Sequence, residues 1–191
     1  MKLNYSAPLI LGVISAVVFS SGSMAAQNTR SISLSASITS TSNSFSVDPL
    51  SSWPANALQI TWSSTNKSFG NPSNVGFKVK SSADVKVSLS STAKLTDGSK
   101  EIPIKVGITT TDTTKGGVAV SELSLTSQKI YDKTKNSAGD YVSYELTVAA
   151  QTTGMKDSSG ATITAVAPST TPEPAAGTYT GSIDLVFDST I

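Results

Sequence analysis

Apolar residues recur at every second position in segment after segment of this chain, and nowhere is a helical spacing sustained. A period of two places successive side chains on opposite faces of an extended strand. Ile32, Leu34, Ala36 and Ile38 alternate with Ser31, Ser33, Ser35 and Ser37. Leu58, Ile60 and Trp62 alternate with Gln59 and Thr61, and Val75, Phe77 and Val79 with Gly76, Lys78 and Lys80. Residues 81–84 read as a turn into Val85, Val87 and Leu89, which predicts a hairpin. Residues 96–99 supply another turn ahead of Ile102, Ile104, Val106 and Ile108. Pro103 inside that run points to a strand edge or a strand start. Val118, Val120, Leu123 and Leu125 are apolar but slip phase by one residue, which predicts a bulge or a short turn.

Residues 128–141 carry charges and a glycine and read as a protruding hairpin tip or loop. Val142, Tyr144, Leu146 and Val148 resume the alternation. Residues 154–160 are turn-rich, and residues 167–177 hold Pro168, Pro172 and Pro174 and read as an extended loop. Residues 178–191 form a last alternating strand with Tyr179, Ile183, Leu185 and Phe187 on one face. Composition agrees: the chain holds 35 Ser and 24 Thr. Such side chains compete for backbone groups and disfavour long helices, while Thr suits strands. Eight or so short strands at this spacing predict an all-β chain, an antiparallel sandwich of immunoglobulin-like kind.

The 191 residues suit one domain of ordinary size. There is no Cys and no His, which removes disulfides, thiolate nucleophiles, imidazole bases and most zinc sites together. A formal net charge of +1 gives no basic footprint for nucleic acid. Residues 1–25 read as a secretory signal. Lys2 opens it, residues 7–19 are apolar but short of the about 20 residues a membrane span needs, and Ser23-Met24-Ala25 offers small residues for cleavage after Ala25 or Ala26. No membrane span is expected once it is removed.

Residues 31–38 form a strand built to be buried on one face only. It is either the first strand of the chain's own sandwich or a strand given to another subunit by β-strand addition. Burying Ile32, Leu34 and Ile38 contributes roughly 1.5–3 kcal/mol each. With edge hydrogen bonds at about 0.5–1.5 kcal/mol net, the gross gain is roughly 10–20 kcal/mol. Association costs about 4–15 kcal/mol, so one such strand can hold two subunits together.

Several segments resemble a known family in order and spacing. They are residues 31–38 (SISLSASI) behind the signal segment, 54–62 (PANALQITW), 67–69 (KSF), 85–89 (VKVSL), 94–97 (KLTD), 102–106 (IPIKV) and 176–185 (AGTYTGSIDL). The chain resembles the major pilin of class 5 chaperone–usher fimbriae, the alpha-clade or colonisation factor antigen I type. That resemblance implies an incomplete immunoglobulin-like sandwich completed by a donated strand. It divides the chain into a signal peptide (1–25), a donor-strand extension (26–40) and a pilin domain (41–191). Ile32, Leu34, Ala36 and Ile38 would be the donor plugs. Ile183, Leu185, Phe187 and Ile191 would form the edge strand recognised by a chaperone.

The implied partners are identical subunits, a periplasmic chaperone, an outer-membrane usher, a minor tip adhesin and host glycans. The implied location is a fimbria on the surface of a Gram-negative bacterium. Two features depart from the family pattern: residues 39–46 are Ser/Thr-rich where a Pro is expected soon after the donor strand, and the loops at 128–141 and 154–176 are long.

Two other readings stand beside this one. A self-contained secreted carbohydrate-binding sandwich would use Trp53, Trp62, Tyr131, Tyr141 or Tyr144 to stack on sugars, although Trp62 alternates like a core residue. A hydrolase would need paired carboxylates such as Asp112 with Glu122 or Asp132 with Asp140, all in turn-like polar contexts. No catalytic residue, cofactor or metal is assigned.

Overall fold

The computed structural model describes residues 30–39, 45–70 and 75–190. The expected signal segment and Ile191 lie outside them. Twelve strands follow one another: β1 (Arg30–Thr39), β2 (Ser46–Pro49), β3 (Leu58–Gln59), β4 (Thr61–Ser63), β5 (Ser68–Gly70), β6 (Val75–Lys80), β7 (Asp84–Leu89), β8 (Lys94–Asp97), β9 (Lys100–Thr109), β10 (Gln128–Tyr131), β11 (Val142–Ala150) and β12 (Tyr179–Thr190). Two short 3-10 turns, Thr113–Lys115 and Lys133–Lys135, are the helical content among the described residues. None of it is long and apolar enough to cross a membrane.

Ten of the strands form a curled sheet whose main order is β10-β7-β12-β8-β9-β11-β6-β2, consistent with an immunoglobulin-like sandwich, while β4 and β5 pair apart from it. β7 and β8 follow one another along the same edge of β12, both antiparallel to it. β9 belongs to both layers: Lys100–Pro103 pair with β8, and Ile104–Thr109 pair with β11. Pro103 sits at that changeover, where the lost N–H interrupts neither ladder, and its carbonyl accepts from Gln151 N at 2.9 Å.

The core lies between the layers, where the alternating residues of β6, β7, β9, β11 and β12 meet. Phe77 stacks on Tyr144 with ring centroids 5.2 Å apart and meets Phe187 edge-on at 5.6 Å. Such pairs add to what area burial alone contributes.

The structure corrects two local expectations and details a third segment. β6 and β7 are not a hairpin: β6 pairs with β11 and β2, and β7 with β12 and β10. The turn at 81–84 therefore carries the chain from one layer to the other. Residues 118–125, where the phase slips, form no regular strand; they cross the sandwich by isolated bonds, Val118 N to Ile130 O and Val120 N to Ile108 O, and leave Leu125 60% exposed. Residues 128–131, read as loop, are a strand in which Ile130 and Tyr131 are fully buried.

Candidate functional site

Among the described residues the longest ladder joins the first strand to the last. β1 runs parallel to β12 with every position matched, from Arg30 opposite Tyr179 to Thr39 opposite Asp188. At its start β1 also pairs antiparallel with β3, Ser31 with Gln59 and Ile32 with Leu58. It therefore fills a cleft whose walls are β12 and β3. Without β1, one whole edge of β12 would show unpaired N–H and C=O groups, a template for another strand.

The residues singled out in the sequence meet along this seam. Ile183, Leu185 and Phe187 of β12 are each 1% exposed and belong to the core. In register they face Leu34, Ala36 and Ile38, while Ile32 faces Gly181. Ile32 is fully buried and Leu34 half-buried, packed against the core, while Ser33 on the opposite face is exposed. For Ala36 and Ile38 the description ends at the backbone register, and Ile191 lies outside the described residues.

Gly181 is required by what lies behind it. A Cβ there would come within 2.3 Å of the Lys94 carbonyl and 3.2 Å of Leu95 Cδ2. The missing side chain lets β8 close on β12, and it leaves Ile32 without a cross-strand side chain from β12.

Two polar clusters hold the ends of β12. At its start, Lys100 Nζ donates to Asp97 Oδ2 at 2.9 Å and to the Ala176 carbonyl at 2.8 Å, tying the β8–β9 turn to the chain just ahead of β12. Tyr179 Oη donates to the Ala175 carbonyl at 2.8 Å. The bond to Asp97 raises the Lys100 pKa. On the neighbouring strand Glu101 receives Lys94 at 2.6 Å and Lys156 at 2.9 Å. Those two ammonium groups, Lys94 first, pull its carboxyl below the usual range.

At the far end of β12, Ser189 and Ser81 form a buried hydroxyl pair at 3.1 Å, and Tyr131 Oη donates to the Ser81 carbonyl at 3.0 Å. Tyr144 Oη donates to the Ile130 carbonyl at 2.6 Å. Burial pushes both tyrosine pKa values up. Sequence reasoning missed these buried anchors, and only the placing of Tyr131 and Tyr144 among apolar residues could have signalled them.

Two of the five aromatic side chains considered for sugar stacking, Tyr131 and Tyr144, are buried and spent on backbone carbonyls. Trp53 and Trp62 are half-buried, so Trp62 is not the full core residue its spacing suggests. It packs edge-on against Phe69 at 4.8 Å. Tyr141 remains exposed, with Lys78 Nζ 4.3 Å and Lys80 Nζ 5.5 Å from its ring centre. Three of the carboxylates considered for acid–base work have their own partners. Asp112 accepts from Ser143 N, Asp132 caps the turn at Thr134, and Glu122 pairs with Lys105.

A family model described as the CS1 type fimbrial major subunit matches residues 28–188, a span that takes in β1, the cleft and all of β12 but its last two residues. No curated protein matched the chain.

Proposed function

The chain belongs to the CS1 type fimbrial major subunit family, which makes it a structural subunit of a surface fimbria built by homopolymerisation, and from that premise we propose that it polymerises by donor-strand complementation. In this reading it is a major pilin of the alpha-clade, class 5 type. Residues 26–40 leave the subunit to complete a neighbour, with Ile32, Leu34, Ala36 and Ile38 as the plugs. The acceptor is the edge of β12, where Ile183, Leu185 and Phe187 line the core. A periplasmic chaperone engages the same edge, with Ile191 as its end point, before an outer-membrane usher exchanges it. The resulting shaft carries a tip adhesin and supports attachment to host cells.

One observation supports this best: the strand completing β12 comes from a segment joined to the body only through residues 40–44, while the rest of the described core is supplied by residues 45–190. A ten-residue ladder plus Ile32 is a unit that another copy can supply with the same chemistry. The rival reading, a self-contained carbohydrate-binding sandwich, draws on β1 lying in its own chain and on exposed Tyr141 beside two lysines.

One comparison separates the two. Residues 27–39 are moved behind residue 191 through a short linker, and this chain is compared with one simply lacking them. Strand donation predicts a stable, non-polymerising monomer for the first and an unstable chain for the second. If the moved strand adds no stability, or the deleted chain melts cooperatively as a monomer at the full chain's temperature, the reading is wrong.

A further inference from the structure

β1 is held on both edges by strands of its own chain, β12 along ten positions and β3 along two. Its pairing with β12 is parallel, and Ile32 is sealed in the core. We infer that a subunit free of chaperone is self-capped: its own β1 occupies the cleft in the parallel register, and this closed monomer is the form that a strand from a second copy must displace when no chaperone holds the edge of β12. This rests on the strand-donation reading and adds the identity of the competitor.

The physical basis is proximity. Five residues, 40–44, separate β1 from Phe45 in the sequence. A segment on so short a tether meets its own cleft at an effective concentration in the millimolar range. At about 1 µM subunit, the resident strand leads any incoming strand about a thousand-fold before contacts differ. The cap is nonetheless displaceable. A parallel ladder is slightly less stable per residue than an antiparallel one, Leu34 is only half-buried, and Ile32 faces a glycine. Release of β1, rather than collision of subunits, then limits the start of polymerisation.

The absence of cysteine makes the test clean. Ser33 and Ser182 are opposite one another in register and both exposed. Neighbouring strands lie about 4.8 Å apart, within the Cα separation of about 4.4–6.8 Å that a disulfide accepts. In the full chain carrying S33C and S182C, mild oxidation of dilute monomer is expected to close an intramolecular disulfide. The product is a monomer that no longer takes up a thiol reagent. That locked monomer should fail to polymerise, and reduction should restore polymerisation to the rate of the unmodified chain, followed by light scattering. A second pair, S33C with D188C, lies six register positions out and should stay open.

Disulfides forming only between chains, closure of the D188C pair instead, or undiminished polymerisation of the locked monomer would each overturn self-capping. Failure of the underlying reading looks different: a chain lacking residues 30–39 would polymerise as fast as the intact one.

Discussion

Ile32 is where the seam's energy can be read most directly. Its side chain is fully buried, it pairs with Leu58 on one edge, and its partner across the other edge is Gly181, which has no side chain to move into a vacated space. Truncating a buried Ile to Ala costs about 2–5 kcal/mol, more where the surroundings cannot collapse. Gly181 is itself pinned by the Lys94 carbonyl, so Ile32→Ala should fall well above the lower limit, at about 3–4 kcal/mol.

At 1.4 kcal/mol per tenfold, that raises the open fraction of β1 roughly 150- to 700-fold. Leu34→Ala, half-buried, should cost about half as much, and Ser33→Ala, exposed, should stay within about 0.5 kcal/mol. Native-state hydrogen exchange of the β1 amides measures the opening free energy of this strand separately from that of the body. The expected order is Ile32, then Leu34, then Ser33. An Ile32→Ala effect below about 1 kcal/mol, or one no larger than that of Ser33→Ala, would refute the reasoning that this seam is anchored through Ile32.

Tyr131→Phe removes the donor to the buried Ser81 carbonyl and should cost about 1–3 kcal/mol in urea unfolding, since that acceptor is left unpaired. Gly181→Ala forces a Cβ to within 2.3 Å of backbone on β8; it should destabilise by about 1–3 kcal/mol or more and expose β8 amides to exchange before those of β11. The folded-state pKa of Glu101 is lowered by Lys94 and Lys156. Its contribution is therefore present above the unfolded carboxyl value of about 4.3 and is lost as pH falls through the lower folded value. Glu101→Gln should flatten the urea midpoint between about pH 5 and pH 2 relative to the parent, and an unchanged acid slope would count against the assignment.

The alternation that made this chain legible reports which face a residue occupies and nothing about direction or partner. Leu34 and Ile183 were each readable as inward-facing. That they lie opposite one another, and that the strands run parallel, was not, because a period of two is the same read from either end. Val118–Leu125 is rich in apolar residues, and its slipped phase, read as a bulge or a short turn, marks a segment that contributes single bonds to several partners. Ile130 and Tyr131 were hidden by the charges around them, and because two adjacent buried residues break the alternation where the β10–β7 register shifts. β8 carries one buried apolar side chain, Leu95, among Lys94, Thr96 and Asp97, too little for a pattern. The buried hydroxyl pair of Ser81 and Ser189 was invisible among so many serines.

β9 has a mechanical consequence. Because one continuous backbone serves both layers, tension applied along β12 passes through its bond with Thr96 on β8 into Lys100–Pro103 and from there, covalently, into the ladder with β11. The two halves of the sandwich cannot shear past one another while β9 is intact. A subunit pulled from its ends should bear load as a single body and yield first at the seam, where hydrogen bonds and the packing of Ile32 and Leu34, but no covalent link, stand in the line of force.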